Sequence, residues 1–562
     1  MPTLQFKGKP FVQNHHLAVK YHQLVPNKKN SLSDNISLHD NLIIQGDNLK
    51  ALKALLPTYG GKVKCIYIDP PYNTGKEHWV YNDNVNSPMM QEWLGKEVDV
   101  EDLTRHDKWL CMMMPRLKLL RELLAENGMI FISCDDNEIF NLKGILDEIF
   151  TEKNWVGTIV WRNVTDNNPS NIAIEHEYVI CYGKNKESLD KVWKSKVSDS
   201  KDVLIQIGDK LIKKYSDPEE LQSVYTDWFR DNKQFLGQLD RYKYLDKGGV
   251  YTGSQSVHNP GREGYRYDII HPITKKPCKQ PLMGYRFPED TINQLLADKK
   301  VLFGTDETKI IELKVYAKDY EDKLSSVIKL DGRIGAYDLK DFFPEKTKVF
   351  DYPKPVQFIR QLMSYVVEEN DVVLDSFAGS GTTAHAVLDL NKEDGGNRKF
   401  ILVEMEDYAN TITAERVRRV INGVPKSKNF KEGTGGTFSY FELGNAIEMS
   451  HILDGTNLPS YVEFARYLFY TATGEQFDES KINEKTGFIG ESSNYAVYLI
   501  YKPDIEYLKT TALTLERAKA LPEFKGKQRL VFAPMKYLDQ HFLRDLRIDF
   551  CQLPYEVYKM EK

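Results

Sequence analysis

Strand-like apolar runs that each end on a polar loop recur along this chain, and two of those loops, about 300 positions apart, constrain its fold more than anything else in it. The first run, Cys65-Ile66-Tyr67-Ile68, leads into Asp69-Pro70-Pro71-Tyr72 and then Asn73-Thr74-Gly75. The second, Asp371-Val372-Val373-Leu374, leads into Asp375-Ser376-Phe377-Ala378-Gly379-Ser380-Gly381-Thr382-Thr383, ahead of a helical stretch at 384–390. Further apolar runs at 42–45, 129–133, 156–161, 177–182 and 399–403 are separated by helical segments such as 48–56 and 112–125. Strand alternating with helix predicts an α/β fold, doubly wound, with a mostly parallel sheet and helices on both faces. Loops that follow the strands of such a sheet line its carboxyl edge, where ligands bind. Residues 300 apart in sequence can therefore meet.

Asp-Pro-Pro alone would support a stiff turn closing a strand and no more. With Tyr72 beside it the segment suits a particular chemistry. The exocyclic amine of a nucleobase is a poor nucleophile because its lone pair is delocalised into the ring. Acceptors aimed at its two N–H bonds draw that lone pair back. A carboxylate on Asp69 and the main-chain carbonyl of Pro70 can supply them, since proline lacks an N–H and its fixed φ sets the direction of its carbonyl. Tyr72 adds a flat face, and a base removed from its stack regains roughly 1–3 kcal/mol on an aromatic platform. The second loop reads as strand, glycine turn, helix. A lone Gly-x-Gly is weak, and the third glycine of the dinucleotide fingerprint is absent. The strand at 399–403 strengthens it by ending on Glu404, where an acidic residue would face ribose hydroxyls. No Lys or Arg lies in the turn to meet a phosphate, so an adenosyl ligand fits.

Together these segments resemble the S-adenosylmethionine-dependent DNA methyltransferases that modify adenine N6, in the permuted, beta-type order with the catalytic motif first. Within that family they are most similar to the modification subunits of type III restriction-modification systems. The resemblance extends to Leu42-Ile43-Ile44-Gln45-Gly46-Asp47-Asn48-Leu49, to His176-Glu177-Tyr178 leading to Tyr182-Gly183-Lys184, and to Phe350-Asp351-Tyr352-Pro353-Lys354-Pro355. It covers roughly positions 40 to 445. It implies that Asp69, Pro70, Pro71 and Tyr72 form the catalytic loop, with S-adenosylmethionine as cofactor and double-stranded DNA as substrate. It also implies that Asp375, Phe377, Gly379 and Gly381 line the methionine end of the cofactor, with Glu404 on its ribose and Asp47 on its adenine ring. Thr382 and Lys354 complete that implied cofactor set. For Asp47, a helix N-cap ahead of 49–56 is the competing reading. An exocyclic amine attacks a methyl group directly, so no enzyme nucleophile is required, only positioning and polarisation. Asp at position 69 favours adenine by a tendency of the family. Cytosine N4 stays open as a target, as do RNA and a catalytically idle recognition subunit that recruits a nuclease.

The expected organisation is an N-terminal arm (1–40), a first catalytic half (41–184) and a target-recognition domain (185–344). A second catalytic half with the cofactor motif (345–445) and a small C-terminal α/β domain for docking or dimerisation (446–562) follow. The net charge of −5 is unlike a DNA-binding protein until it is read locally. From 241 to 286, Arg241, Lys243, Lys247, Arg262, Arg266, Lys275, Lys276, Lys279 and Arg286 stand against Asp246, Glu263 and Asp268. Tyrosines 242, 244, 251, 265, 267 and 285 are interleaved with them. That pattern suits a surface that grips phosphate and touches bases. A solvated basic face over core tyrosines is the alternative.

At 562 residues the prior is three or four domains. No apolar run approaches the roughly 18 residues that cross a membrane, and Met1-Pro2-Thr3-Leu4-Gln5-Phe6-Lys7 is no secretory signal, so a cytoplasmic chain is expected. Cysteines 65, 111, 134, 181, 278 and 551 show no metal-ligand spacing, and no metal is expected. Pro277-Cys278 matches the nucleophile dipeptide of cytosine-C5 methyltransferases, but its polar surroundings make it a loop thiol. No Gly-x-x-x-x-Gly-Lys-Ser/Thr occurs, so ATP-driven translocation through such a loop is not expected here. In a restriction system, cleavage would need a separate helicase-nuclease subunit. The resemblance further implies a homodimer.

Overall fold

The computed structural model describes residues 3–74, 105–164, 171–193, 199–233, 236, 239–259, 261–321, 323–427, 429–447, 458–522 and 526–553. Gly75 of the first loop lies outside them. In chain order the strands are β1 (His22–Pro26), β2 (Leu42–Gln45), β3 (Val63–Ile68), β4 (Leu124–Cys134), β5 (Trp155–Arg162) and β6 (His176–Gly183). They continue with β7 (Tyr244–Asp246), β8 (Gly249–Ser256), β9 (Val301–Leu302), β10 (Glu312–Tyr316), β11 (Val327–Lys329), β12 (Val372–Asp375), β13 (Lys399–Glu404) and β14 (Ser439–Ala446). The C-terminal part adds β15 (Phe488–Glu491), β16 (Tyr495–Leu499), β17 (Leu513–Thr514), β18 (Gln528–Ala533), β19 (Lys536–Tyr537) and β20 (Ile548–Gln552).

One sheet of ten strands, in the order β1-β14-β2-β13-β12-β3-β4-β6-β5-β11, organises the larger unit, 1–191 with 325–562. From β14 to β4 all neighbours are parallel, as are β5 and β11, while β6 runs antiparallel to both β4 and β5. The doubly wound, mostly parallel expectation describes it. The inner strands read as unbroken apolar runs, such as Leu42, Ile43, Ile44 and Phe400, Ile401, Leu402, Val403, because helices cover both faces and no side chain has a solvent side. The helix Asn48–Tyr59 follows β2, Arg105–Leu123 precedes β4, and Thr382–Asp394 follows β12. Their buried leucines and methionines, Leu52, Leu55, Met113, Met114 and Leu117 among them, join the strands in one core.

Three expectations of organisation change. The first 40 residues are more than an arm, because β1 pairs with β14 and closes one edge of the sheet. Residues 325–344 lie with the larger unit, since Val327, Ile328 and Lys329 extend the sheet beside β5. The C-terminal part is its own four-stranded sheet, β15-β16-β18-β20, yet it packs within the larger unit. There the Phe477 N–H donates to the Pro57 carbonyl at 3.1 Å, and Tyr21 and Tyr467 meet with ring centroids 4.8 Å apart. Its helix Tyr461–Thr473 begins with a reciprocal capping box between Ser460 and Glu463. Two short helices, Ile505–Thr510 and Leu515–Ala520, flank β17.

The second unit is Val192–Leu324. Two amphipathic helices, Asp199–Lys214 and Pro218–Asn232, bury Leu204, Leu221, Tyr225 and Phe229 in a core shared with Leu245 and Val250 of its sheet, β7-β8-β10-β9.

Candidate active site

The parallel register carries the two loops to one edge. Asp69 follows β3 and Asp375 ends β12, which are adjacent parallel strands with Leu374 opposite Ile66. Glu404 ends β13, next along, with Gln45 of β2 opposite it. Strand β6 is antiparallel, so it contributes its first residues to the same edge: Tyr178 lies opposite Cys134 at the end of β4, and Glu177 opposite Trp161 of β5.

At the first loop, Asp69 Oδ2 lies 2.9 Å from the Lys354 ammonium, while Oδ1 is buried and meets no hydrogen-bond partner among the described residues. The same ammonium lies 3.2 Å from Glu177 Oε2, donates to the Tyr72 hydroxyl at 2.9 Å and sits 4.9 Å from the centre of the Tyr72 ring. Tyr72 in turn donates to Glu177 Oε2 at 2.8 Å. Burial pushes the Asp69 carboxyl above the usual range, opposed by Lys354 and reinforced by Glu177. Burial by itself would lower Lys354, but Asp69 and Glu177 outweigh it and hold the ammonium firmly charged. The Tyr72 hydroxyl is raised by burial and by both carboxylates, so it stays protonated.

The loop is fixed from below. The Trp109 indole donates to the Pro71 carbonyl at 2.7 Å. Asn73, left-handed at φ 60°, is clamped by the buried Glu138 carboxylate, which also meets His106 at 2.7 Å. A short polar side chain tolerates that backbone better than most.

At the second loop the Asp375 carboxylate accepts from the Phe377 N–H at 3.0 Å and the Thr383 hydroxyl at 2.6 Å. Glu404 accepts from the N–H groups of Gly379, Met405 and Glu406 at 2.7, 2.9 and 3.1 Å. Burial pushes each carboxyl up to about 7, against these bonds. Gly379 and Gly381 have φ of 51° and 78°. A Cβ on Gly379 would come within 3.3 Å of the Phe350 ring, and one on Gly381 within 3.1 Å of the Thr413 carbonyl. Arg416, fully buried, supports the turn by donating to the Ser380 and Thr382 hydroxyls at 3.0 and 2.8 Å. Asn48 holds the Ser376 carbonyl, while the buried Ser376 hydroxyl meets no partner among the described residues.

The matching family model is that of a DNA methylase, and it spans residues 63–415, more than half of the chain. The chain belongs to the DNA methylase family. Among its relatives, the type III restriction-modification enzyme EcoP15I Mod subunit of Escherichia coli is 55% identical over 377 residues, 65% of this chain and 58% of that one. The StyLTI Mod subunit of Salmonella typhimurium is 32% identical over 450 residues, 76% of this chain and 62% of that one. The EcoPI Mod subunit of Escherichia phage P1 is 30% identical over 486 residues, 78% and 70%. The chain therefore spans about three-fifths of the length of the first two relatives.

The remaining expected residues fall as follows. Asp47 caps the helix Asn48–Tyr59, accepting from the Lys50 N–H at 3.0 Å, and borders a shallow cleft with His22, Gln45, Gly46 and Glu442. Phe377 and Thr382 lie buried in the glycine turn. Lys354, expected with the cofactor, lies beside Asp69 and Tyr72 of the first loop. Sequence reasoning assigns no role to Glu177, Trp109, Arg416 or Ser376; for the first of them the segment His176-Glu177-Tyr178 is the available signal. In the second unit Arg241, Lys243, Arg262, Arg266, Lys275, Lys276, Lys279 and Arg286 are all exposed. Of the interleaved tyrosines, 242 and 285 are core residues, whereas 244 and 265 are about half exposed. Cys278 lies in a loop, as expected, but a buried one: it is 3% exposed in the core with Ile269 and Tyr285, and burial raises its thiol.

Proposed function

We propose that this chain is a site-specific DNA methyltransferase acting on the N6 amine of a flipped-out adenine, the modification and recognition subunit of a type III restriction-modification system. The observation that carries the reading is Asp69: one carboxylate oxygen is tied to Lys354 and the other, buried, has no partner among the described residues. A buried acceptor left unpaired costs free energy, and such atoms cluster where a ligand completes them. The amine of a flipped base supplies the missing donor. The Pro70 carbonyl takes the second N–H, and the Tyr72 ring stacks on the base.

The glycine turn suits S-adenosylmethionine. Side chains at 379 and 381 would crowd Phe350 and Thr413, the Ser376 hydroxyl has no partner among the described residues, and the Asp375 and Glu404 carboxylates stand at successive strand ends. Bound there, the cofactor supplies a methyl group on a positively charged sulfur. Asp375, Phe377, Gly379, Gly381 and Thr382 would hold its methionine end and Glu404 its ribose, sharing the carboxylate with the three N–H groups it already accepts. The chain's own part is to orient the amine, exclude water and take the proton that leaves the nitrogen, at Asp69 Oδ1. The exposed cations of the second unit grip phosphate, a homodimer places one copy to read while the other methylates, and cleavage belongs to a separate helicase-nuclease partner.

The test is to express the chain in a bacterial host that lacks N6-methyladenine and to map modified bases in its DNA. N6-methyladenine in one sequence context, abolished by Asp69→Ala, is the expected result. N4-methylcytosine would keep the chemistry and change the base; unmodified DNA despite cofactor binding would favour an idle recognition subunit or an RNA target.

A further inference from the structure

A carboxylate that must attract an amine is weakened by a cation fastened to it, and Lys354 is fastened to Asp69 at 2.9 Å. The structure answers this with Glu177. Its Oε2 takes both the Lys354 ammonium at 3.2 Å and the Tyr72 hydroxyl at 2.8 Å, and its Oε1 is held by the Asn163 amide at 2.6 Å. Lys354 is sandwiched by rings as well, 4.9 Å from the centre of Tyr72 and 5.6 Å from that of Trp161, and Trp161 stacks on Phe358 at 4.3 Å. The ammonium is thus held by two carboxylates, a hydroxyl and two rings, and the carboxylate by three donors.

We propose that Glu177 and Lys354 are positioning residues for methyl transfer: neutralising one another, they hold Asp69 with a single oxygen presented to the amine, anchor the Tyr72 hydroxyl, and leave the site with one net negative charge. The inference rests on the methyl-transfer reading above. The charge matters because the nitrogen becomes positive as it gains its fourth bond, before its proton passes to Asp69. A site of zero net charge would not favour that state, and a site with two unbalanced carboxylates would hold a proton before the amine arrived. Of the other titratable groups near the pair, Tyr67 and Cys134 are kept protonated by burial. The Asp375 and Asp135 carboxyls, raised by burial, titrate alike in the wild type and in every variant, so the comparison is of the differences between limbs.

The experiment compares Glu177→Gln, Lys354→Met and the double variant in the full chain, using radiolabelled S-adenosylmethionine and genomic DNA from a host without the modification. Single-turnover rates are followed from pH 5 to 9, and cofactor affinity is measured by calorimetry. With Glu177→Gln the plateau rate should fall about ten-fold or more, and the acid limb should move down by about one pH unit, because Asp69 loses a like charge. With Lys354→Met the limb should move up by about 1–3 units. The double variant restores the single net charge, so its limb should return toward the wild-type position while cofactor affinity stays within about two-fold in all three. Limbs that coincide with wild type, or a double variant that carries both losses, would overturn the pairing.

Should the wild-type chain label no nucleic acid, the methyl-transfer reading is what fails, and melting decides the pair. Lys354→Met leaves the raised Asp69 carboxyl beside Glu177 without its cation, and the stabilising protonation of Asp69 is present at low pH and lost as pH rises. Its melting deficit should then grow from pH 5 to 8 and be smaller in the double variant; a deficit that is independent of pH, or equal in both, would overturn the pairing.

Discussion

At Asp69 the two carboxylate oxygens are chemically distinct: one is neutralised by an ammonium, the other is buried and unmatched among the described residues. Removing the carboxylate removes the acceptor for the amine but touches nothing in the glycine turn. Asp69→Ala should therefore lower turnover by about 10²-fold or more with cofactor affinity nearly intact, read by single-turnover labelling and calorimetry. Turnover near wild type would remove Asp69 from the chemistry. Gly381→Val works in the opposite way. A β-branched residue at φ 78° is strained by roughly 1–3 kcal/mol, and its Cβ would press on the Thr413 carbonyl that backs the turn. Loss of cofactor binding by calorimetry is expected, and unchanged binding would show that the turn holds something else.

At the level of elements, the ends of β12 and β13 each bury a carboxyl, Asp375 and Glu404, pushed up to about 7. Because the folded values exceed the ordinary carboxylate range, these groups stabilise the fold fully below about pH 4 and lose that contribution as pH rises toward 7. As pH falls from about 8 to about 5, the melting temperature of the cofactor-free chain should rise relative to that of its Glu404→Gln variant, by scanning calorimetry; a difference independent of pH would contradict this. Trp109→Phe keeps an aromatic ring but removes the donor to the Pro71 carbonyl, so the catalytic loop should loosen; a fall in rate of about 5–20-fold with unchanged cofactor affinity is expected, equivalent to one net hydrogen bond of about 1–2 kcal/mol. Both loops could be singled out in the sequence because the residues of each, Asp69 to Tyr72 and Asp375 to Thr383, are contiguous. Core strands were legible too, since burial on both faces leaves uninterrupted apolar runs. Lys354 was legible as part of a motif but not in its place, because its partners Asp69 and Glu177 come from β3 and β6, far away in sequence. Trp109 and Arg416 carry no local signal at all, since a donor to a distant loop looks like any buried aromatic or helical cation. Strand β11 escaped because three residues, Val327 to Lys329, are too few to show a period, and only the edge of β5 makes them a strand.

For the whole molecule, the second unit offers nine exposed cations from the 241–286 stretch on a fold separate in its core from the ten-stranded sheet. Replacing Lys275, Lys276 and Lys279 by Ala together should weaken binding to any duplex and reduce the slope of log affinity against log salt by about one for each phosphate no longer neutralised. An unaltered salt slope, measured by fluorescence anisotropy, would place the DNA surface elsewhere. Light scattering of the full chain tests the homodimer. The central claim is that a carboxylate with one unmatched oxygen, an aromatic platform and a glycine turn on one sheet edge together methylate an exocyclic amine. The most direct measurement is to incubate the purified chain with radiolabelled S-adenosylmethionine and mixed-sequence duplex DNA, digest to nucleosides and identify the labelled product. Labelled N6-methyladenine is predicted; an unlabelled digest from a chain that demonstrably binds the cofactor would contradict it.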